Sequence, residues 1–431
     1  MWSQNLGRRR SVVRAIAGSL AGGAAAQAFL VLSGILVARA LGVTGRGHLA
    51  LLTLIPVALA QLGSLGVPIA LTYFVSRDPS RARAIIQAIV PLAIIQVVLL
   101  VPAHALILAL MLPGQPRAVV VAGLVTLPAI PILLSSQYAL ALLQGQQDFR
   151  RFTFLLFMPA ATYSLAVVAT VLFSRAELVE ITAAWVASYA IAALITVSAA
   201  LRQLPPTAGV DSSAPIGRLV RFGLSGLVGS ASPIERFRVD QTLVGVLLTP
   251  AALGLYVVAA SFTTIMAFIA SGFAAIGFPR VAAGITYRAR RQALWRYFLA
   301  ASVIVVAVFI PLQATAGWIV PLFFGEEFRN AVPITRILLL AGLLFAARRV
   351  LAELARGAGH PIHGTLAELA AIVALVATAM IFIPVSGLYG MAWSMVISSL
   401  AGLVVVVTLL GSGRSGEPVH VGDGLQAAPN P

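Results

Sequence analysis

Residues 84–112 read AIIQAIVPLAIIQVVLLVPAHALILALML, a run of 29 residues without an Arg, Lys, Asp or Glu. About 20 apolar residues in a helix are enough to cross the hydrocarbon core of a bilayer. The rest of the chain follows this pattern, because 60% of its 431 residues are hydrophobic and only 10% are charged. Soluble domains have about 25% charged residues. The composition therefore excludes a soluble protein and predicts a polytopic membrane protein.

Apolar stretches long enough for one spanning helix each are separated by charged residues or by Pro and Gly clusters. They lie at about 15–38, 49–75, 84–112, 118–143, 152–173, 178–200, 219–247, 251–277, 297–320, 334–355, 364–384 and 387–410. A polar, Pro-bearing segment separates the first six from the last six. We therefore expect an all-α integral membrane protein. Its predicted parts are a six-helix lobe at 1–203, a linker at 204–215, a second six-helix lobe at 216–410 and a disordered cytoplasmic tail at 411–431.

The arginines predict the orientation, because basic residues accumulate in cytoplasmic loops. All 29 basic residues are arginines, against 13 acids, which gives a net charge of +16. With the N-terminus inside, 21 arginines fall on the cytoplasmic side, whereas the outer side has 6, together with acids such as Glu177 and Glu326. We expect a multi-pass protein of the cell membrane with both termini in the cytoplasm. Its charge would contact lipid headgroups rather than nucleic acid.

The two halves show a weak internal repeat, a feature common among transporters. An offset of 207 residues pairs Gly47 with Gly254 and the basic loop 81–83 with 288–290. An offset of 212 pairs Gly145 with Gly357. Because each half has an even number of predicted spans, the halves would have the same orientation, as in a parallel repeat.

Several motifs resemble those of polysaccharide-export flippases, which belong to the superfamily of multidrug, oligosaccharidyl-lipid and polysaccharide exporters. They are ARALGVTGRG (38–47), RVD (238–240) followed by PAALGLY (250–256), LFFGEEF (322–328) and LARGAGHP (354–361). The resemblance extends from about residue 15 to residue 410. The sequence departs from the family pattern at Arg46, where members usually carry an aromatic residue before the glycine.

The resemblance implies a MATE-like bundle whose two lobes alternate between inward-open and outward-open states. Its cargo would be an oligosaccharide on a polyprenyl pyrophosphate, flipped from the cytoplasmic to the outer leaflet. The predicted span number favours the O-antigen, capsule and exopolysaccharide branches over the lipid II branch, whose members have more spans. Possible partners are a polysaccharide polymerase and glycosyltransferases, in addition to membrane lipids. No cofactor is expected.

The best candidate substrate site is the charged segment ERFRVD at residues 235–240 in predicted helix seven. A pyrophosphate inside the membrane needs cations, and the planar guanidinium of arginine donates hydrogen bonds in pairs. Ionisable groups at this depth usually face the protein interior or water. Arg236 and Arg238 would bind the substrate, and Glu235 and Asp240 would hold or release it. The alternative is two internal ion pairs, Glu235 with Arg238 and Arg236 with Asp240.

Three further arginines are candidate substrate contacts. Arg348 and Arg349, followed by Glu353, lie toward the cytoplasmic end of predicted helix ten. Adjacent residues on a helix point in different directions, so at most one of the two would face the cavity while the other reaches the lipid headgroups. Arg39, at the outer end of predicted helix one, is either a substrate contact or a packing anchor.

Glu368 and His104 are lone ionisable residues within predicted spans, either in a polar contact or in ion coupling. The chain has no cysteine, and no cluster of metal-ligating residues or catalytic motif stands out. We therefore expect no metal site and no enzyme. The alternatives to a flippase are a cation-coupled multidrug exporter of the same superfamily and a polytopic polysaccharide polymerase or ligase.

Overall fold

The computed structural model describes residues 2–205, 216–230, 237–284 and 286–412, and all regular secondary structure in these ranges is helical. The α-helices are α1 (Trp2–Gly63), α2 (Val67–Arg77), α3 (Ala82–Met111), α4 (Arg117–Val125), α5 (Ala129–Gly145), α6 (Phe149–Phe173), α7 (Leu178–Leu201), α8 (Ile216–Ser230), α9 (Val239–Leu247), α10 (Pro250–Ser261), α11 (Thr263–Ala282), α12 (Tyr287–Phe324), α13 (Ala331–Gly357), α14 (Pro361–Ser386) and α15 (Leu388–Ser412). Short 3-10 helices, Pro79–Arg81 and Glu326–Phe328, precede α3 and α13. The expected all-helical architecture is confirmed.

The predicted apolar stretches fall on these helices, and backbone breaks divide some of them. The second stretch, 49–75, is divided between α1 and α2 at Leu65 and Gly66, whose φ angles are 52° and 68°. Within the described chain, nine segments have the length and composition of membrane spans. They are Gln27–Gly63, Pro79–Met111, Arg117–Gly145, Phe149–Phe173, Leu178–Leu201, Pro250–Ala282, Arg288–Phe324, Pro361–Ser386 and Leu388–Gly411. A multi-pass membrane protein is thus confirmed, whereas the number of twelve spans and the side of the termini remain predictions.

The chain forms two compact units. The first comprises Met1–Ser261, Thr315–Thr335 and Ser386–Met391, and the second comprises Phe262–Ala314, Arg336–Val385 and Ala392–Pro431. The main core of the first unit includes buried side chains of α2 and α5, among them Leu71, Ile130 and Leu142. Residues 206–215 of the predicted linker and 413–431 of the predicted tail lie outside the described residues. The division into lobes 1–203 and 216–410 remains a prediction.

Helices α1 and α10 approach closely at two glycines. A Cβ atom at Gly47 would lie 2.5 Å from the carbonyl carbon of Pro250, and one at Gly254 would lie 3.0 Å from that of Val43. Carbon atoms pack at about 3.5–4.0 Å, so residues larger than glycine do not fit here. Both pairs of equivalent residues, 47 with 254 and 43 with 250, have the offset of 207 noted in the sequence. This reciprocal contact supports the predicted repeat.

Helix α8 packs on α2 through a second pair of glycines. A Cβ atom at Gly66 would lie 2.5 Å from the carbonyl carbon of Gly223. Beside this contact, Phe222 stacks on Tyr73 with ring centroids 4.4 Å apart. Helix α9 packs on α10 and on α1. Helix α9, whose N-cap is the predicted substrate residue Arg238, thus lies next to α1.

Candidate functional site

The predicted helix seven is broken where its charged residues lie. Arg238 has left-handed backbone dihedral angles (φ 47°, ψ 45°) and is the N-cap of α9. This conformation costs a residue with a Cβ atom about 1–2 kcal/mol, so the surrounding packing must hold it. The side chain of Arg238 is exposed. An exposed cation therefore stands at the start of a half-helix.

Asp240 provides negative charge at the start of α9. Its buried carboxylate accepts hydrogen bonds from the backbone N–H groups of Asp240 and Gln241. The hydroxyl of Tyr256 donates to Oδ2 at 3.0 Å, and Arg238 lies within electrostatic range. The first N–H groups of a helix have no partner within the helix and favour an anion. Asp240 is therefore held by three donors near a cation.

Arg46 of α1 is a second cation near Arg238. It lies within electrostatic range of Arg238 and of the Tyr163 side chain. Its Nε atom is buried and has no hydrogen-bond acceptor among the residues that the structure describes. The neighbouring Gly47 fits against Pro250 and so holds this turn of α1 against the start of α10. The tight helix contact thus fixes Arg46 near Arg238.

Aromatic residues of α6 and α7 complete the cluster. Tyr163 lies within electrostatic range of Arg46 and Tyr189, and Tyr189 lies within range of Arg238. The rings of Trp185 and Tyr189 have centroids 5.0 Å apart, and their side chains are hydrogen-bonded. Because an indole N–H only donates, the Tyr189 oxygen accepts this bond. The hydroxyl hydrogen of Tyr189 is then left to donate elsewhere.

These residues, which we call the Arg46–Arg238 site, are Arg46, Tyr163, Tyr189, Arg238 and Asp240. Arg46 and Arg238 lie within electrostatic range of each other, and Asp240 is the one carboxylate among these described residues, so they carry a net positive charge. Like charges repel strongly in a medium of low dielectric constant, and a group with several anionic oxygens would relieve this repulsion. No group of three or more metal-ligating side chains occurs in the described parts of the chain. The site is therefore suited to an anion.

Part of the predicted helix-seven cluster lies outside the described residues, namely Glu235 and Arg236. The expected ion pairs of Glu235 with Arg238 and of Arg236 with Asp240 therefore remain predictions. The two described members, Arg238 and Asp240, lie together at the start of α9.

The second predicted cluster is built around a different ion pair. Arg348 has a side chain that is 1% exposed, and its Nη2 atom lies 3.1 Å from Oε1 of Glu368 on α14. Gly402 of α15 makes room for it, since a Cβ atom there would lie 2.5 Å from Arg348 Cδ. Glu353 pairs instead with Arg356, at 3.2 Å. Arg348 thus joins three helices of the second unit, and the polar contact expected for Glu368 is this arginine.

The other predicted residues lie in separate places. Arg349 is half-buried next to Arg348 on α13. The Nε atom of Arg39 donates to the carbonyl oxygen of Phe323 at 2.7 Å, which favours the packing anchor. The Nε2 atom of His104, a buried residue of α3, lies 3.5 Å from Oγ1 of Thr126, in agreement with a polar contact. Substrate or coupling roles for these residues remain predictions.

Arg46 was not among the predicted site residues. It lies between the predicted apolar stretches 15–38 and 49–75, where a connecting loop was expected, whereas the structure continues the helix through residues 43–63 after an interruption at Gly42. The available signal was the departure from the family motif at this position. An arginine that replaces an aromatic residue inside a helix requires a physical reason.

The chain is similar to one known protein family and to several proteins of known structure. The model of the family described as polysaccharide biosynthesis protein matches residues 16–284. No curated protein matches the chain significantly. A solved structure of the lipid II flippase MurJ, in an inward closed conformation, has a TM-score of 0.71 and 12% identity, covering 91% of this chain and 87% of that chain.

Two further structures are similar over nearly their whole length. An inward-facing multidrug resistance MATE family transporter of the MOP superfamily has a TM-score of 0.67 and 15% identity, covering 90% of this chain and 96% of the other. A MOP superfamily transporter from Pyrococcus furiosus Vc1, with a binding pocket of reverse polarity, has a TM-score of 0.58 and 15% identity, covering 93% of this chain and 95% of the other. The expected MATE-like fold is confirmed.

Proposed function

The chain belongs to the polysaccharide biosynthesis protein family, and we propose that it flips an oligosaccharide linked to a polyprenyl diphosphate. The cargo moves from the cytoplasmic to the outer leaflet for the synthesis of O-antigen, capsule or exopolysaccharide. The observation that carries the proposal is that Arg238 stands at the start of the half-helix α9 with a second arginine, Arg46, within electrostatic range of it.

A diphosphate that enters the membrane must replace its lost hydration with protein donors. Arginine suits this task because its fork of N–H groups matches phosphate oxygens and stays charged. The start of a half-helix adds positive potential, and many transporters place such helix ends at an anionic substrate group. Arg46, Arg238 and α9 together would supply these donors, and Tyr189 would add a hydroxyl.

Asp240 gives the site a way to release its cargo. Without cargo, its carboxylate balances the charge of Arg238 and the start of α9. A bound diphosphate competes with this carboxylate for the same donors. This competition limits the affinity, and a carrier requires such a limit because the cargo must also leave.

The charge of the site argues against the alternatives. A cation-coupled multidrug exporter shares the fold, but a cationic drug would be repelled by Arg46 and Arg238. A polymerase or ligase would need catalytic groups against the substrate, and the described site offers donors for binding an anion. Glycosyltransferases would supply the cargo on the cytoplasmic side, and a polymerase would consume it on the outer side.

The proposal is tested by flipping assays in cells whose polysaccharide export depends on this protein. Arg46→Gln and Arg238→Gln remove one guanidinium each, and hydrogen bonds to charged groups contribute about 1.5–3 kcal/mol. We expect flipping to fall at least about tenfold in each variant. Arg46→Lys should recover only part of the activity, because it keeps the charge and loses the paired donors.

The control is Arg117→Gln, which removes an exposed arginine at the start of α4 and should leave flipping unchanged. Membrane abundance is measured in parallel. Arg46→Gln should keep normal abundance, because the Arg46 Nε has no acceptor among the described residues. Flipping at the normal rate in both Gln variants would contradict the proposal.

A further inference from the structure

Two family-like motifs that are distant in sequence meet in the structure. Arg39, in the motif at 38–47, donates through Nε to the carbonyl oxygen of Phe323 at 2.7 Å. Its Nη2 atom donates to the carbonyl oxygen of Leu322. Both acceptors belong to the motif at 322–328. The two motifs therefore contact each other at the end of α12.

A second contact joins the same motifs. Gly42 interrupts α1 with φ 64° and ψ −174°, backbone angles that favour glycine. A Cβ atom at Gly42 would lie 2.8 Å from Oε2 of Glu327, so the carboxylate packs directly against the glycine backbone. The glycine thus has two uses, since it breaks the helix three residues after Arg39 and admits Glu327.

The contacts of Arg39 with the end of α12 are of a kind that can break and form again. Arg39 places its charge at the C-terminal carbonyls of α12, where a cation is favoured by the helix dipole. The hydrogen bonds are exposed, so water replaces them when they break. Residues Thr315–Thr335 belong to the first unit, whereas the remainder of α12 and α13 belongs to the second. The segment that Arg39 contacts therefore belongs to the first unit, like Arg39 itself, although most of α12 and α13 belongs to the second.

We propose that Arg39 and the 322–328 segment form an outer latch, which blocks the outer side of the Arg46–Arg238 site and opens when cargo is released. The inference rests on the proposed function for the identity of the cargo and on the predicted orientation for the outer side. It explains why Arg39, Gly42 and Glu327 occur in separate motifs. A helix cap alone would need Arg39 but would not need the contact of Glu327 with Gly42.

The test uses the absence of cysteine in the chain. Tyr189→Cys places one thiol in the Arg46–Arg238 site, and a membrane-impermeant maleimide is added to intact cells. The labelling rate is taken per molecule of folded protein, recovered by size exclusion. In this background, Arg39→Gln should raise the labelling rate by about tenfold, the change that corresponds to the loss of about one charge-assisted hydrogen bond. Arg39→Lys should give a smaller increase.

The matched control is Arg329→Gln in the same loop. Arg329 pairs with Glu326 at 2.7 Å, and both side chains are largely exposed; these hydrogen bonds keep the pKa of Glu326 below its usual range. This change removes an arginine next to the segment but leaves the contacts of Arg39 with Leu322 and Phe323, and of Gly42 with Glu327, in place. It should therefore leave labelling unchanged. Unchanged labelling in Arg39→Gln, or an equal increase in Arg329→Gln, would overturn the latch. Labelling requires no cargo, so failure of the flipping assays would leave this result interpretable.

Discussion

The substitution Gly47→Ala tests the packing that holds the site together. It adds one methyl group to α1 where α10 is closest. The new Cβ would lie 2.5 Å from the carbonyl carbon of Pro250 and 3.0 Å from the backbone nitrogen of Gly254. Both neighbours are backbone atoms, which cannot rotate away as a side chain would.

The size of the effect follows from these distances. A carbon contact needs about 3.5–4.0 Å, so the two helices must separate by about 1 Å or more. Such overpacking usually costs about 1–3 kcal/mol, and we expect the upper end because the clash involves the backbone on both sides. About 3 kcal/mol lowers the ratio of folded to unfolded protein by about 100-fold.

The assay is thermal unfolding of the purified protein in detergent, followed by size exclusion. Gly34→Ala is the control, because it adds the same methyl group to the same helix at a position with no neighbour within 4 Å. It should leave the melting temperature unchanged or raise it, since alanine favours a helix more than glycine. Equal melting temperatures for Gly47→Ala and Gly34→Ala would refute the packing argument.

Two further predictions concern the second unit and the topology. Gly402→Ala would place a methyl group 2.5 Å from Arg348 Cδ and should destabilise the protein by about 1–3 kcal/mol in the same thermal assay. Gly272→Ala, with no neighbour within 4 Å, should be tolerated. For the topology, an impermeant maleimide should label Asn330→Cys in intact cells and Ser80→Cys only after permeabilisation. The reverse pattern would contradict the predicted orientation.

The sequence allowed the membrane class and the helix positions to be predicted, because apolar runs such as 84–112 have few alternatives in a bilayer. The repeat offset was visible at Gly47 and Gly254, where the geometry requires small residues. Arg238 and Asp240 were recognised because charges inside an apolar stretch are costly. These signals are local and depend on composition.

The remaining features depend on contacts between distant residues. The pairing of Arg348 with Glu368 joins separate helices, so no spacing along one helix indicates it. Arg46 was assigned to a loop because the hydropathy falls near Gly42, where the backbone breaks and then resumes as a helix. The contact of Arg39 with Phe323 spans 284 positions, which no local pattern encodes.

The most direct test of the central claim is the affinity of the purified protein for a polyprenyl diphosphate and for the matching monophosphate. The diphosphate should bind at least about tenfold more tightly, because a second phosphate adds charge-assisted hydrogen bonds of about 1.5–3 kcal/mol each. The double variant Arg46→Gln with Arg238→Gln should lose this preference, and Arg117→Gln should keep it. An unchanged preference for the diphosphate in the double variant would contradict the account.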